Sequence, residues 1–227
     1  MSAIVLNLNS IIKLTSEQFY QLCESNPDLK LERSANGELI AMPPTGGETG
    51  KRNLTAGALL WLWNDETQLG EAFDSSTGFT LPNKADRSPD ASWVEKSRWE
   101  ALTPEQREKF IPLCPDFVIE LVSPSDSLKK AQDPMQEYIE NGCRLGWLIN
   151  RKKREVKIYP PGRNVEILQS PQTLSGEMSC RDFFLICKKF GINLTAVRSF
   201  SSYKTKLTAS ILVNITCRIF PNSSAFY

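Results

Sequence analysis

The chain of 227 residues contains no histidine. This excludes Ser-His-Asp and Cys-His arrangements, a histidine general base and every zinc site that needs imidazole. Catalysis would then have to run on carboxylates, lysine, hydroxyls or thiols, with a hard, oxygen-bound cation such as Mg²⁺ as the fitting metal. The six cysteines, Cys23, Cys114, Cys143, Cys180, Cys187 and Cys217, form no C-x-x-C pair. A chain of this size needs no disulfide staples, so a reducing, cytoplasmic setting is expected. No apolar run approaches the roughly 18–20 residues of a membrane span, and residues 1–9 are too short and polar for a secretory signal. Acidic residues are also missing from the last part of the chain: residues 183–227 hold six Lys/Arg and no Asp or Glu. The overall charge of +1 therefore conceals two parts, because residues 1–182 hold 21 basic and 26 acidic residues, a net of −5. The expected organisation is a single domain over residues 1–180, free of repeats and Gly/Ser linkers, and an atypical basic, Ser/Thr-rich extension over 181–227.

The elements that can be read from the pattern alternate in type. Thr15-Ser16-Glu17-Gln18 has the form of a capping box and predicts a helix with Phe19, Leu22 and Cys23 on one face, stopped at Asn26-Pro27. Residues 29–33 and 38–42 predict a hairpin around Ser34-Ala35-Asn36-Gly37. A second helix is expected over about 49–65, with Leu54, Ala58, Trp61 and Leu62 at helical spacing against a sheet. Short strands follow near 71–74, 79–81 and 91–94, then a polar helix from Thr103 to Phe110. Asp116-Phe-Val-Ile-Glu-Leu-Val122 is the most hydrophobic stretch and predicts a strand buried on both faces. A helix ending at Asn141-Gly142 and strands over 145–149, 155–159 and 165–168 complete the series, so 116–149 reads as a crossover on a mixed sheet. The fold class is α/β with helices flanking that sheet.

Two Pro-Asp dipeptides place a carboxylate at a strand's beginning, Pro89-Asp90 and Pro115-Asp116. Strand alternation puts Asp116, Val118, Glu120 and Val122 on one face, so Glu120 is a carboxylate embedded in an apolar run. Burying it unpaired is costly, so a cation, a hydrogen-bond donor or a metal must stand beside it. With Asp90 on a neighbouring strand, the two would form a pair that Mg²⁺ could bridge. Asp116 reads instead as a residue bonding local amides. The basic turn 151–154 reads as a solvated hairpin tip within reach of a phosphate backbone, the tryptophans as core, and Cys114 and Cys143 as packing thiols.

Several ordered blocks carry a resemblance: Arg87-Ser-Pro-Asp-Ala-Ser-Trp-Val94, Cys114-Pro-Asp-Phe-Val-Ile-Glu-Leu121, Ser123-Pro-Ser-Asp126, Met135-Gln-Glu-Tyr-Ile139, and Gly142 with Leu145-Gly-Trp-Leu-Ile149. Together they resemble the Uma-two family of endonucleases, in the restriction-endonuclease-like PD-(D/E)XK superfamily, over about residues 12–177. The resemblance implies a central mixed sheet flanked by helices and Mg²⁺- or Mn²⁺-dependent cleavage of phosphodiester bonds in DNA. It makes Asp90 and Glu120 metal ligands and catalytic residues, and Glu48 a further ligand. A homodimer follows by analogy with nucleases that cut both strands.

The sequence departs from the superfamily at the lysine. The place two residues after the acid is Val122, and the place four before the tyrosine, where relatives in the family supply the lysine, is Pro134. Lys130 is then the lysine expected to reach Glu120, with Lys129 beside it. A helix starting afresh with Asp133 as N-cap and Pro134 at its first position fits the proline. Two functions compete on this scaffold: a metal-dependent endonuclease with a displaced lysine, and a catalytically silent nucleic-acid-binding or assembly module.

Overall fold

A computed structural model of the chain describes residues 3–8, 10–122, 134–176, 178–187 and 194–196. In chain order the elements are β1 (Ile4–Leu6), α1 (Ser16–Ser25), β2 (Lys30–Arg33), β3 (Leu39–Met42), α2 (Gly47–Thr67), β4 (Gly70–Asp74), β5 (Phe79–Thr80), β6 (Asp86–Arg87) and β7 (Ala91–Glu95). They continue with α3 (Lys96–Glu100), α4 (Pro104–Glu108), β8 (Phe117–Leu121), α5 (Pro134–Glu140), β9 (Leu145–Asn150), β10 (Glu155–Tyr159), β11 (Glu166–Gln169), β12 (Thr173–Ser175), β13 (Phe184–Cys187) and β14 (Leu194–Ala196).

Local chemistry fixes several of these boundaries. Thr15 Oγ1 accepts the Gln18 N–H while Gln18 Oε1 accepts the Thr15 N–H, so the capping box that opens α1 is complete in both directions. Thr103 and Gln106 repeat the device at α4. Gly37 turns the β2–β3 hairpin at φ 91°, a conformation open to glycine at no steric cost. Pro134 is the first described residue of α5, and Asp133, expected as its N-cap, lies outside the described residues.

The central sheet has six strands in the order β11-β10-β9-β8-β7-β4. Only β8 and β9 are parallel, the crossover expected over 116–149; the other pairs are antiparallel, so the sheet is mixed. A five-stranded antiparallel sheet, β1-β3-β2-β6-β5, and a three-stranded one, β12-β13-β14, accompany it. One face of the central sheet packs Phe117, Ile119 and Trp147 against Ala56, Leu60 and Trp63 of α2, with Phe183 and Leu185 in the same core. The opposite face packs Val94 and Val118 against Met135 and Tyr138 of α5 and against Phe79 and Leu81 beside the five-stranded sheet. The strand 117–121 is thus buried on both sides, as its composition predicts.

The face of α2 differs from the expectation. Leu54, Trp61 and Leu62 are exposed, Trp61 by 53%, and Ala58 with them, while Ala56, Leu60, Trp63 and Asn64 are buried. Apolar residues surround this helix, so periodicity does not select a side. Polar anchors do: Asn64 Oδ1 accepts the buried Trp93 indole N–H at 2.8 Å, and the Trp63 indole donates to Arg181 O at 3.0 Å. Rotating Trp61 inward would orphan both indoles. Trp63, Trp93 and Trp147 are core residues, as read; Trp61 is not.

Candidate active site

The β7–β8 register pairs Ala91 with Ile119, and one step further out Asp90 stands opposite Glu120. Directly opposed residues of an antiparallel pair have Cβ atoms about 5 Å apart. The two carboxylates read from the sequence are therefore brought together at the end of the central sheet.

Asp90 is held through both oxygens. Its Oδ2 accepts the Leu121 N–H at 2.9 Å and its Oδ1 accepts the Asn53 side-chain amide of α2 at 2.6 Å. Glu120 is half-buried, and Tyr138 of α5 donates its hydroxyl to Oε1 at 3.3 Å. Burial, and after it the negative charges of Asp90 and Glu32, hold the Glu120 carboxyl well above the ordinary carboxylate range; Lys30 and the Tyr138 hydroxyl act in the opposite sense. The Tyr138 hydroxyl is itself pushed up, by burial and then by Glu120 and Glu32.

A second tier of side chains braces the segment leading to Asp90. Glu32 of β2 accepts the Ser88 N–H at 3.0 Å and pairs with Arg87 at 3.2 Å, and Arg87 pairs again with Glu137 of α5 at 2.6 Å. Asn83 donates to the other Glu137 oxygen at 3.0 Å. Lys30 Nζ donates to Ser88 O at 3.3 Å. Arg87 thus ties β2, the Asp90 segment and α5 into one network.

The other predicted residues fall elsewhere. Glu48 lies in the first turn of α2 with its side chain 69% exposed, paired with Arg52 and 4.0 Å from Arg151. No group of three acidic or cysteine side chains suited to a metal occurs among the described residues, so Glu48 does not complete a triad with Asp90 and Glu120. Lys129 and Lys130 lie outside the described residues. Asp116 accepts the Glu95 N–H at 2.8 Å and pairs with Arg98 at 2.8 Å, which makes it a brace between β7 and β8. The Cys114 thiol is buried and pushed up to about 12 by burial above all, suited to packing and not to nucleophilic chemistry.

The Uma2 family, described as "Putative restriction endonuclease", matches residues 16–186. The chain belongs to the Uma2 family. A crystal structure described as that of "a putative nuclease belonging to DUF820 from Anabaena variabilis" is similar in fold: TM-score 0.59, 23% identity, 73% of this chain and 91% of that chain covered. No curated protein sequence matches this chain. Membership of Uma2 makes this a nuclease-family protein on a restriction-endonuclease-like fold.

Four residues around this carboxylate pair were not singled out by the sequence: Asn53, Tyr138, Glu32 and Lys30. Tyr138 had a signal, since it stands inside the Met135-Gln-Glu-Tyr-Ile139 block, yet only the fold shows its hydroxyl meeting Glu120. Lys30 and Glu32 alternate with Leu31 in a hairpin strand, a pattern that equally describes a solvated face.

Proposed function

We propose that the chain is a DNA endonuclease that hydrolyses phosphodiester bonds with Mg²⁺ or Mn²⁺ held by Asp90 and Glu120. The observation that carries this reading is the cross-strand carboxylate pair, in which Glu120 is raised by burial and by the neighbouring charges of Asp90 and Glu32. Such a pair is costly until a cation joins it, and two hard oxygen donors fit an alkaline-earth-type ion. When bound, that ion supplies charge neutralisation and polarises a phosphoryl oxygen. The protein's own residues set the geometry. Leu121 N–H and Asn53 aim Asp90, Tyr138 aims Glu120, and the Arg87 network keeps the Asp90 segment in place. Lys130 stands in for the family's lysine, whose two places are Val122 and Pro134 here.

The setting suits a polyanion. Strand β9 runs parallel to β8, so the basic turn 151–154 leaves the sheet at the same end as Glu120, and Arg151 approaches the first turn of α2. These exposed cations are placed to meet a phosphate backbone. A homodimer would present two such sites to the two strands of a duplex, which sedimentation analysis checks.

Purified protein with Mg²⁺ or Mn²⁺ is expected to nick supercoiled plasmid, and Asp90→Ala is expected not to. No nicking by the natural chain, or equal nicking by Asp90→Ala, refutes the reading. Val122 and Pro134 in both lysine places favour the alternative, a silent nucleic-acid-binding module. Pro134 lies one helical turn from Tyr138 and so shares its face. Activity appearing only in Pro134→Lys would support that alternative.

A further inference from the structure

The corner built around Asp90 gathers negative charge: Asp90 and Glu32 both act on Glu120 there, and a phosphodiester would bring more. Two cations among the described residues stand with them. Arg87 is committed, paired with Glu32 at 3.2 Å and Glu137 at 2.6 Å, with its side chain only 11% exposed. Lys30 is not committed: among the described residues its ammonium makes one hydrogen bond, to Ser88 O at 3.3 Å, and no ion pair within 4.0 Å. An ammonium has three donors, so two are left for another partner.

The fold aims this lysine. Lys30 and Glu32 share a face of β2 and grip the same residue, Glu32 accepting the Ser88 N–H at 3.0 Å while Lys30 donates to the Ser88 carbonyl. Ser88 is two residues from Asp90, so the ammonium is tethered beside the carboxylate pair and is half-buried there. Its charge is felt by both Glu120 and Glu32: burial is the largest influence on each and raises them, while Lys30 lowers them. A compact charge on a flexible stem suits a phosphate oxygen.

We infer that Lys30 binds a phosphate oxygen of DNA at this site, an assignment that rests on the nuclease reading. The test measures binding of a short labelled DNA duplex by fluorescence anisotropy, with Ca²⁺ as the ion, over a series of salt concentrations. It compares the full chain with Lys30→Gln, Lys30→Met and Lys30→Arg. Loss of one phosphate contact predicts about tenfold weaker binding by Lys30→Gln and a salt slope reduced by about 0.9, with Lys30→Arg keeping the natural slope. Lys30→Met, which keeps the apolar stem, carries the same expectation if the glutamine variant does not fold. If Lys30 only holds Ser88, affinity falls while the salt slope stays the same, and the assignment is overturned. Natural slopes and affinities in both uncharged variants overturn it as well. Natural protein that neither binds the duplex nor nicks plasmid overturns the nuclease reading and this assignment together, whereas binding by natural protein with unchanged variants overturns Lys30 alone.

Discussion

The carboxylate pair predicts that removing one of its charges stabilises the metal-free protein. Asp90, the residue before β7, stands opposite Glu120 of β8, and opposed side chains of an antiparallel pair lie about 5–6 Å apart. At an effective dielectric constant of about 20, that separation corresponds to about 3 kcal/mol of repulsion. Partial exposure of Glu120 and loss of the charge-assisted bond from Tyr138 reduce the net gain of Glu120→Gln to about 1–2 kcal/mol. For a chain of this size that is a rise in Tm of about 2–8 °C. The pH dependence has a definite sign. Glu120 is held above its unfolded value, so the folded state binds the proton more tightly. The stability this provides is present below the ordinary carboxylate pKa of about 4.3 and is lost as pH rises through the higher folded value. Thermal unfolding in chelator should therefore show natural protein and Glu120→Gln converging in acid and separating toward neutral pH, the variant being the more stable. Added Mn²⁺ should raise the Tm of the natural chain and leave the variant nearly unchanged. A variant less stable than the natural chain at pH 8, or a gap that does not change with pH, refutes the reasoning.

Asn53→Asp places a third carboxylate at a position now 2.6 Å from Asp90; nicking should fall by at least about 100-fold through misplacement of Asp90, while Asn53→Ala should lose less. Gly70→Ala builds a Cβ 2.1 Å from Val94 O and 2.6 Å from the Trp93 ring, with backbone on one side, so it should cost about 3 kcal/mol and lower the Tm by about 6–12 °C. Arg33→Met leaves Asp86, which is 2% exposed, without its 2.7 Å partner and should destabilise by about 3–5 kcal/mol in chemical denaturation, with loss of the β2–β6 pairing.

The parts of this molecule that could be read from sequence are those whose chemistry is local. A capping box at Thr15, a glycine turn at Gly37 and a doubly buried strand around Ile119 each depend on residues close together in the chain, and each occurs as expected. Asp90 and Glu120 were legible for a related reason: each is a costly residue at the end or in the middle of an apolar strand, and one shared ladder unites them. The rotation of α2 was not legible, because it is decided by Asn53 and Asn64, whose partners Asp90 and Trp93 lie 37 and 29 residues away. β1 and β6 escaped for a similar reason. The three apolar residues of β1 are exposed and pair only with β3, and β6 is two residues long, so neither leaves a pattern of its own. Lys30 and Glu32 acquire meaning only through Ser88, more than 50 residues downstream.

The packing of α2 also makes the protein its own optical reporter. The Trp63 and Trp93 rings lie 5.5 Å apart at 63°, one on the helix and one on β7. Two indoles so close and so inclined couple their electronic transitions, and the coupling should appear as a signed band pair in near-ultraviolet circular dichroism. The helix that carries Trp63 also carries Asn53 to Asp90, and the strand that carries Trp93 begins at the residue after Asp90. A change in that band on adding a divalent cation or DNA would report a shift of α2 against β7 at the carboxylate pair, without any label attached.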